Sequence, residues 1–256
     1  MFIFLLFKLN IKNKNKNNFN KIKIYKLFLS IIILIKMNKF LLLALISLTV
    51  SKNVILIGDS RYVGMAVLLM GFDYSTITKY YGTGTNVRST SPRKYGGHSI
   101  HVTAQVSASS YTYKQGSDIY NSAHNQLKKA AAGTTVLLWL GINDLDAIDS
   151  TFTFYRNLAK TYTTLNFHVV PVTGINERKI SISNTKVQSF NSKLKDKITS
   201  ANISNLKFKS ILSGNKVNTI MVDGKEVAID SYLTSDGLHY GKAGYEQLWK
   251  AMTKIL

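Results

Sequence analysis

Residues Val54–Tyr62 read VILIGDSRY: four apolar residues run into a Gly-Asp pair, and a serine, an arginine and a tyrosine follow. An apolar run with no polar alternation predicts a strand, Asn53 to Ile57, buried on both faces and ended by Gly58. Arg61–Met70 (RYVGMAVLLM) predicts a strongly apolar helix that stops at Gly71. The chain therefore passes from strand to helix within a few residues. Two readings of that join stand side by side. Asp59 or Ser60 caps the helix by accepting a backbone N–H, or Ser60 is a nucleophile held at the carboxyl end of a strand.

The same alternation continues outward. Ser75–Tyr81 reads as a short strand, followed by a Gly/Ser/Arg loop from Gly82 to Gly97. His98–Ala104 is the next strand, and the polar loop VSASSYTYKQG follows it. Ser117–Ala132 is helical, with Ser117 as cap and Gly133 as stop. Thr134–Leu140 (TTVLLWL) is a continuous apolar strand closed by GIND, and Ser150–Leu165 is a helix. Phe167–Val172 is a buried strand, Gly174–Ser183 a loop, Asn184–Thr199 a helix and Leu206–Leu212 the last core strand. Asp-Gly between the apolar runs of Asn218–Ile229 signals a hairpin, and the final helix runs from Lys242 to Ile255. Apolar strands alternating with helices predict an α/β fold, a mainly parallel five-stranded sheet covered on both faces. Ligands in such sheets sit beyond the carboxyl ends of the strands. Ser60, Ser107 and Asn143 each follow a strand and should gather on that edge.

The first fifty residues are of a different kind. Positions 1–36 form a low-complexity Lys/Asn/Ile/Phe extension without an acidic residue, or an over-extended gene start. From Met37 the chain reads MNKFLLLALISLTVSK: a basic start, an apolar run, then small residues at Thr49 and Ser51, which makes 37–51 a signal peptide. The rival is an uncleaved anchor built from Leu27–Ile35 and Phe40–Val50. It would place Lys36 and Lys39 mid-span at about 2.5–3.5 kcal/mol each, and neither half alone reaches the ~20 residues a span needs. The expected product is residues 52–256, one domain, secreted, monomeric and without stable membrane insertion.

The net charge of +20 divides unevenly: nine lysines fall in residues 1–51, leaving 24 basic against 13 acidic residues, or +11. That balance favours anionic surfaces. The cations are scattered, however, and Lys193, Lys195 and Lys197 alternate with Leu194 and Ile198 on a helix, as a solvated face does. No nucleic-acid partner is expected. The chain has no cysteine, which excludes disulfides, thiolate catalysis and cysteine-ligated zinc. No metal and no cofactor are expected either, since HExxH and clustered ligands are lacking and GTGTN at Gly82 lacks the third glycine of a dinucleotide fingerprint.

Three separated segments carry chemistry: GDS at Gly58–Ser60, GIND at Gly141–Asp144 and SDGLHY at Ser235–Tyr240. A serine hydroxyl needs a base within ~2.6–3.2 Å to become a nucleophile. His239 is the candidate base. Asp236, three residues earlier, is close enough for a turn to bring its carboxylate to the other ring nitrogen, fixing the tautomer and stabilising the imidazolium. Taken together and in this order, the segments resemble the motifs of the SGNH/GDSL hydrolases, nearest to bacterial-type members that carry GDSR. The resemblance spans nearly all of residues 52–256. It implies a flavodoxin-like three-layer α/β/α sandwich and a secreted carboxylic ester hydrolase.

What the resemblance implies for the site is a catalytic Ser60, His239 and Asp236, and an oxyanion hole of the Ser60 N–H, a second backbone N–H and the Asn143 side-chain amide. The family has a glycine at the second donor, where this chain has Ser107; Gly82 and Gly84 are the rival placements. By the same resemblance Asp59 braces the turn of Ser60; Asp144 reads as a residue that caps or braces its own turn rather than one that reacts. Arg61 either orients a substrate anion or projects from the first helical turn. Tyr95, Tyr111 and Tyr113 fall in loops near the expected mouth, with Tyr111 the candidate substrate contact. The expected substrate is a small-molecule or glycan ester with a short acyl, first of all acetyl, group on carbohydrate. A lipid esterase or lysophospholipase, an acyltransferase using the same site, and a silent glycan-binding protein are the alternatives.

Overall fold

The computed structural model describes residues 51–72 and 86–256. The readings of residues 1–50, of the strand at Ser75–Tyr81 and of Gly82 and Gly84 lie outside the described residues.

The apolar run becomes β1 (Asn53–Gly58), the middle of a sheet in which it pairs in parallel with β4 (His98–Gln105) on one side and β5 (Thr135–Trp139) on the other. β6 (Asn166–Val169) and β7 (Leu206–Phe208) extend the sheet beyond β5, again in parallel. These are the five parallel strands that the alternation predicts. Two short strands add to them: β2 (Asn86–Arg88) and β3 (Arg93–Tyr95) both pair antiparallel with β4, making the sheet seven-stranded. They fall in the stretch read as a Gly/Ser/Arg loop. NVR and RKY are too short and polar to show a strand pattern, and their strand character comes from pairing with the edge of β4.

Because side chains alternate across a strand, β1 divides its residues between two cores. Val54 and Leu56 pack with α1 (Ser60–Leu68) and α5 (Lys242–Thr253), through Tyr62, Met65, Tyr245 and Trp249. Ile55 and Ile57 pack on the other face with α2 (Asp118–Lys129), α3 (Ile148–Thr161) and α4 (Asn184–Ala201). Helices on both faces of one sheet make the expected three layers. Ser117 caps α2 as predicted, accepting from the Tyr120 N–H.

The strand predicted from Leu206 to Leu212 splits. The chain leaves the main sheet after Phe208, and β8 (Leu212–Ser213) joins β9 (Lys216–Val222) and β10 (Lys225–Ala228) in a separate antiparallel sheet. Asp223 and Gly224 both have positive φ, 49° and 78°, as the tight Asp-Gly hairpin turn between β9 and β10 requires.

Candidate active site

β1 ends at Gly58, which lies level with Ala104 of β4 and Trp139 of β5. Three loops therefore leave adjacent strands at one edge: 59–60, 106–117 and 140–147. Glycine at 58 is set by packing, because a Cβ there would lie 2.5 Å from the Trp139 carbonyl oxygen and 2.6 Å from Tyr62 Cδ2. The Asp59 carboxylate caps α1 through the Arg61 N–H at 3.0 Å, and Ser60 is the first helical residue. The capping reading of VILIGDSRY is realised by Asp59, which leaves the Ser60 hydroxyl free of that task.

Ser60 Oγ lies 2.7 Å from His239 Nε2, across 179 positions of sequence. His239 Nδ1 lies 2.7 Å from Asp236 Oδ2. The other Asp236 oxygen accepts from the N–H groups of Leu238 (2.8 Å) and His239 (3.0 Å) and from the Thr234 hydroxyl (2.8 Å), so the carboxylate is clamped by its own turn. With Asp236 as acceptor, Nδ1 carries the proton and Nε2 presents a lone pair to the serine hydroxyl. Ser60 and His239 are almost fully buried, whereas Asp236 keeps access to water.

Electrostatics fit this arrangement. Burial pushes the Asp236 carboxyl up, but the N–H groups of His239 and Leu238, the imidazole and the Thr234 hydroxyl outweigh it and hold it well below the ordinary carboxylate range. Burial pushes His239 below the usual imidazole value; Asp236 opposes the shift and the Arg61 cation adds to it. The imidazole is therefore neutral and able to take a proton near pH 7.

Ser107 has φ +60°, in the left-handed region, at the third position of a turn closed by the Ala108 N–H donating to the Gln105 carbonyl at 3.1 Å. That conformation favours glycine, and serine occupies it here while leaving its backbone N–H without an acceptor among the described residues. Asn143 is exposed and donates one Nδ2 proton to the Ala108 carbonyl at 2.9 Å, which ties its turn to the Ser107 loop. Asp144, buried beside it, accepts from the Ser110 N–H (2.9 Å) and hydroxyl (3.0 Å). Asp144 is a brace, as the sequence suggests, but its carboxylate holds the neighbouring loop at Ser110 rather than its own turn. The Ser60 N–H, at the first helical position, has no intrahelical acceptor to satisfy it.

Two expectations are corrected. Arg61 neither meets substrate nor projects from the helix: it is 0% exposed, and its guanidinium donates to Thr173 O (2.9 Å), Thr173 Oγ1 (3.0 Å) and Gly174 O (3.3 Å). The first helical turn faces the core between Trp139 and Tyr240, so a long side chain there has no path to solvent. Of the three tyrosines, Tyr113 is buried, with its hydroxyl donating toward Gly58 O (2.8 Å) and Thr103 O (3.0 Å). Tyr95 sits on β3 level with His98, at the amino-terminal edge of β4 and away from the site. Tyr111 alone lies open, 64% exposed, with its hydroxyl accepting from Ser150 Oγ at 2.8 Å. The sequence analysis missed Thr173 and Tyr240, whose hydroxyls lie 2.8 Å apart beside the Arg61 guanidinium. The only sequence signal for Tyr240 is its place next to His239.

No family model matches the chain, and no curated protein matches it. Among solved structures it is similar to a candidate platelet activating factor from Streptococcus pneumonia, at 16% identity over 82% of this chain and 86% of that one, with a TM-score of 0.51. It is also similar to a candidate SGNH hydrolase from Slackia heliotrinireducens (11% identity, 80% and 98% covered, TM-score 0.49). A lipase/acylhydrolase from Enterococcus faecalis matches at 13% identity, with 80% and 94% covered and a TM-score of 0.46. The likeness is one of fold, a three-layer α/β/α arrangement.

Proposed function

We propose that this chain is a serine esterase of the SGNH type, with Ser60 as nucleophile, His239 as general base and Asp236 as the group that orients it. The observation that carries this reading is the continuous relay from Ser60 Oγ to His239 Nε2 and from Nδ1 to Asp236, 2.7 Å at each step. Ser60 Oγ attacks the acyl carbon and its proton passes to Nε2. Asp236 stabilises the imidazolium, which returns the proton to the departing alcohol. Water, activated by the same imidazole, then hydrolyses the acyl-serine. The oxyanion is received by the N–H groups of Ser60 and Ser107 and by the second Nδ2 proton of Asn143, the one not spent on Ala108.

The proposed substrate is a carboxylic ester with a short acyl group, acetyl first, on a carbohydrate. A hydroxylated alcohol portion is supported by the exposed Ser107 and Asn143, polar residues on the loops that follow β4 and β5 at the same sheet edge as Ser60. We further propose that the product is secreted after cleavage of the 37–51 segment, which mass spectrometry of the culture medium tests. The test of function is p-nitrophenyl acetate hydrolysis by the full chain beside Ser60→Ala and His239→Ala. Turnover confined to the unsubstituted chain supports the mechanism, and equal rates in all three reject it.

A further inference from the structure

Arg61 is a buried cation next in sequence to the nucleophile, and no carboxylate forms an ion pair with it among the described residues. A guanidinium taken out of water costs stability that a methionine of similar volume would not. Its hydrogen bonds show what it does there. The Arg61 Nη1 donates to Thr173 Oγ1 (3.0 Å), which lies 2.8 Å from Tyr240 Oη; that hydroxyl donates to Gly174 O at 3.1 Å. The proton count closes in one direction only: Arg61 to Thr173, Thr173 to Tyr240, Tyr240 to Gly174, each hydroxyl accepting once and donating once. The guanidinium carbon also lies 5.8 Å from the Trp139 ring centre and 5.5 Å from that of Tyr240. Arg61 adjoins Ser60 in the chain, and Tyr240 adjoins His239. The Ser60–His239 contact is therefore doubled by a second link between the residues that follow each of them, Arg61 and Tyr240, through Thr173.

We propose that Arg61 is a positioning residue for acyl transfer, holding the His239–Tyr240 segment against α1 through Thr173 so that Nε2 stays within reach of Ser60 Oγ. The inference rests on the esterase reading of the site. It adds a role for a residue that cannot itself touch substrate. Among the described residues, charges that act on His239 include Asp236 from its own turn and Arg61 from α1; Lys179, from the loop after β6, donates to the Ser235 carbonyl of the same turn at 3.0 Å. Asp59 lies close to Arg61 on its other side, and Asp144 close to Asp59. Removing the Arg61 charge leaves Asp236 as the nearest influence, so the imidazole should hold its proton to higher pH.

The experiment compares the full chain with Arg61→Lys, Arg61→Gln and Thr173→Val. It reads kcat and KM on p-nitrophenyl acetate, the pH profile of kcat/KM, and the His239 titration by NMR in folded protein. Arg61→Gln should lose about 10²-fold in kcat, the scale of a slight misplacement of reacting groups, with KM little changed and the acid limb moved to higher pH. Arg61→Lys should keep the limb where it is and lose less in kcat. Thr173→Val, which cuts the donor chain and leaves the cation, should lower kcat without moving the limb. A merely structural residue would change the folded fraction but neither kcat per folded molecule nor the limb. KM rising at constant kcat in Arg61→Gln, or unchanged kcat in both Arg61→Gln and Thr173→Val, would overturn the proposal. If Arg61→Gln does not fold, Arg61→Lys and Thr173→Val decide it. If the unsubstituted chain is no faster than Ser60→Ala, the esterase reading fails instead, and the NMR titration still tests whether Arg61 sets the state of His239.

Discussion

His239 receives opposing influences, and their net sign can be measured. Burial and Arg61 lower its proton affinity, Asp236 raises it, and the balance lies below the ordinary value of 6.5. On the proposed mechanism the neutral imidazole is the base, so kcat/KM should be level near pH 7 and fall on the acid side with a midpoint below 6.5. A midpoint above 6.5 in a pH–rate profile would contradict this. Asp236→Asn tests the other end of the relay. An amide oxygen can still accept from Leu238 and His239, but its NH₂ then faces Nδ1 and favours the wrong tautomer, with an expected loss of about 10⁴-fold in kcat at preserved fold. Circular dichroism alongside kinetics separates the two effects. Ser60, His239 and Asp236 were legible in the sequence because each sits in a short motif with its own chemical logic. Arg61 was not, because a charged residue just after a turn looks solvent-facing unless the packing of Trp139 and Tyr240 around it is known.

At the scale of elements, two turns hold the site and each has a residue that decides it. Ser107 adopts φ +60°, a conformation that costs a non-glycine residue about 1–2 kcal/mol. Ser107→Gly relieves that strain, and the greater freedom of glycine in the unfolded chain returns about 0.5–1 kcal/mol of it. The expected result is equal or slightly higher thermal stability with activity retained, and Ser107→Val should lower both. Gly58→Ala should act through crowding. Its methyl group would meet a backbone oxygen at 2.5 Å, so the β1–α1 join must shift, at about 1–3 kcal/mol in denaturant titration and with a fall in kcat. The sequence marks both turns, through a glycine at 58 and a polar loop at 107. It does not show that serine is held where glycine is favoured, since φ is a property of the folded loop. β2 and β3 escaped the pattern for a related reason: their strand character resides in the partner β4.

Across the whole molecule, the strand–helix alternation carried the architecture, because five buried strands must be covered on both faces whatever the loops do. What it could not carry is the arrangement of charge beneath the sheet edge, where Asp59, Arg61 and Asp144 are all buried. That arrangement has a thermodynamic consequence. Burial pushes the Asp59 carboxyl up, Arg61 and the N–H it caps pull it back, and Asp144 raises it again, leaving it at about 6 against 3.8 in the unfolded chain. Between those values the folded state binds the proton first, so the contribution of Asp59 to stability rises as pH falls from about 6 toward 3.8 and is lost again as pH rises. Asp59→Asn keeps an oxygen to cap α1 and removes this titration. Chemical denaturation of both proteins from pH 4 to pH 7 should therefore show the unsubstituted chain losing stability relative to Asp59→Asn, by about 2 kcal/mol over the range at 1.36 kcal/mol per pH unit. A difference that stays flat, or that moves in favour of the unsubstituted chain as pH rises, would mean that Asp59 is ionised at no cost and that the buried cation beside it compensates its charge in full.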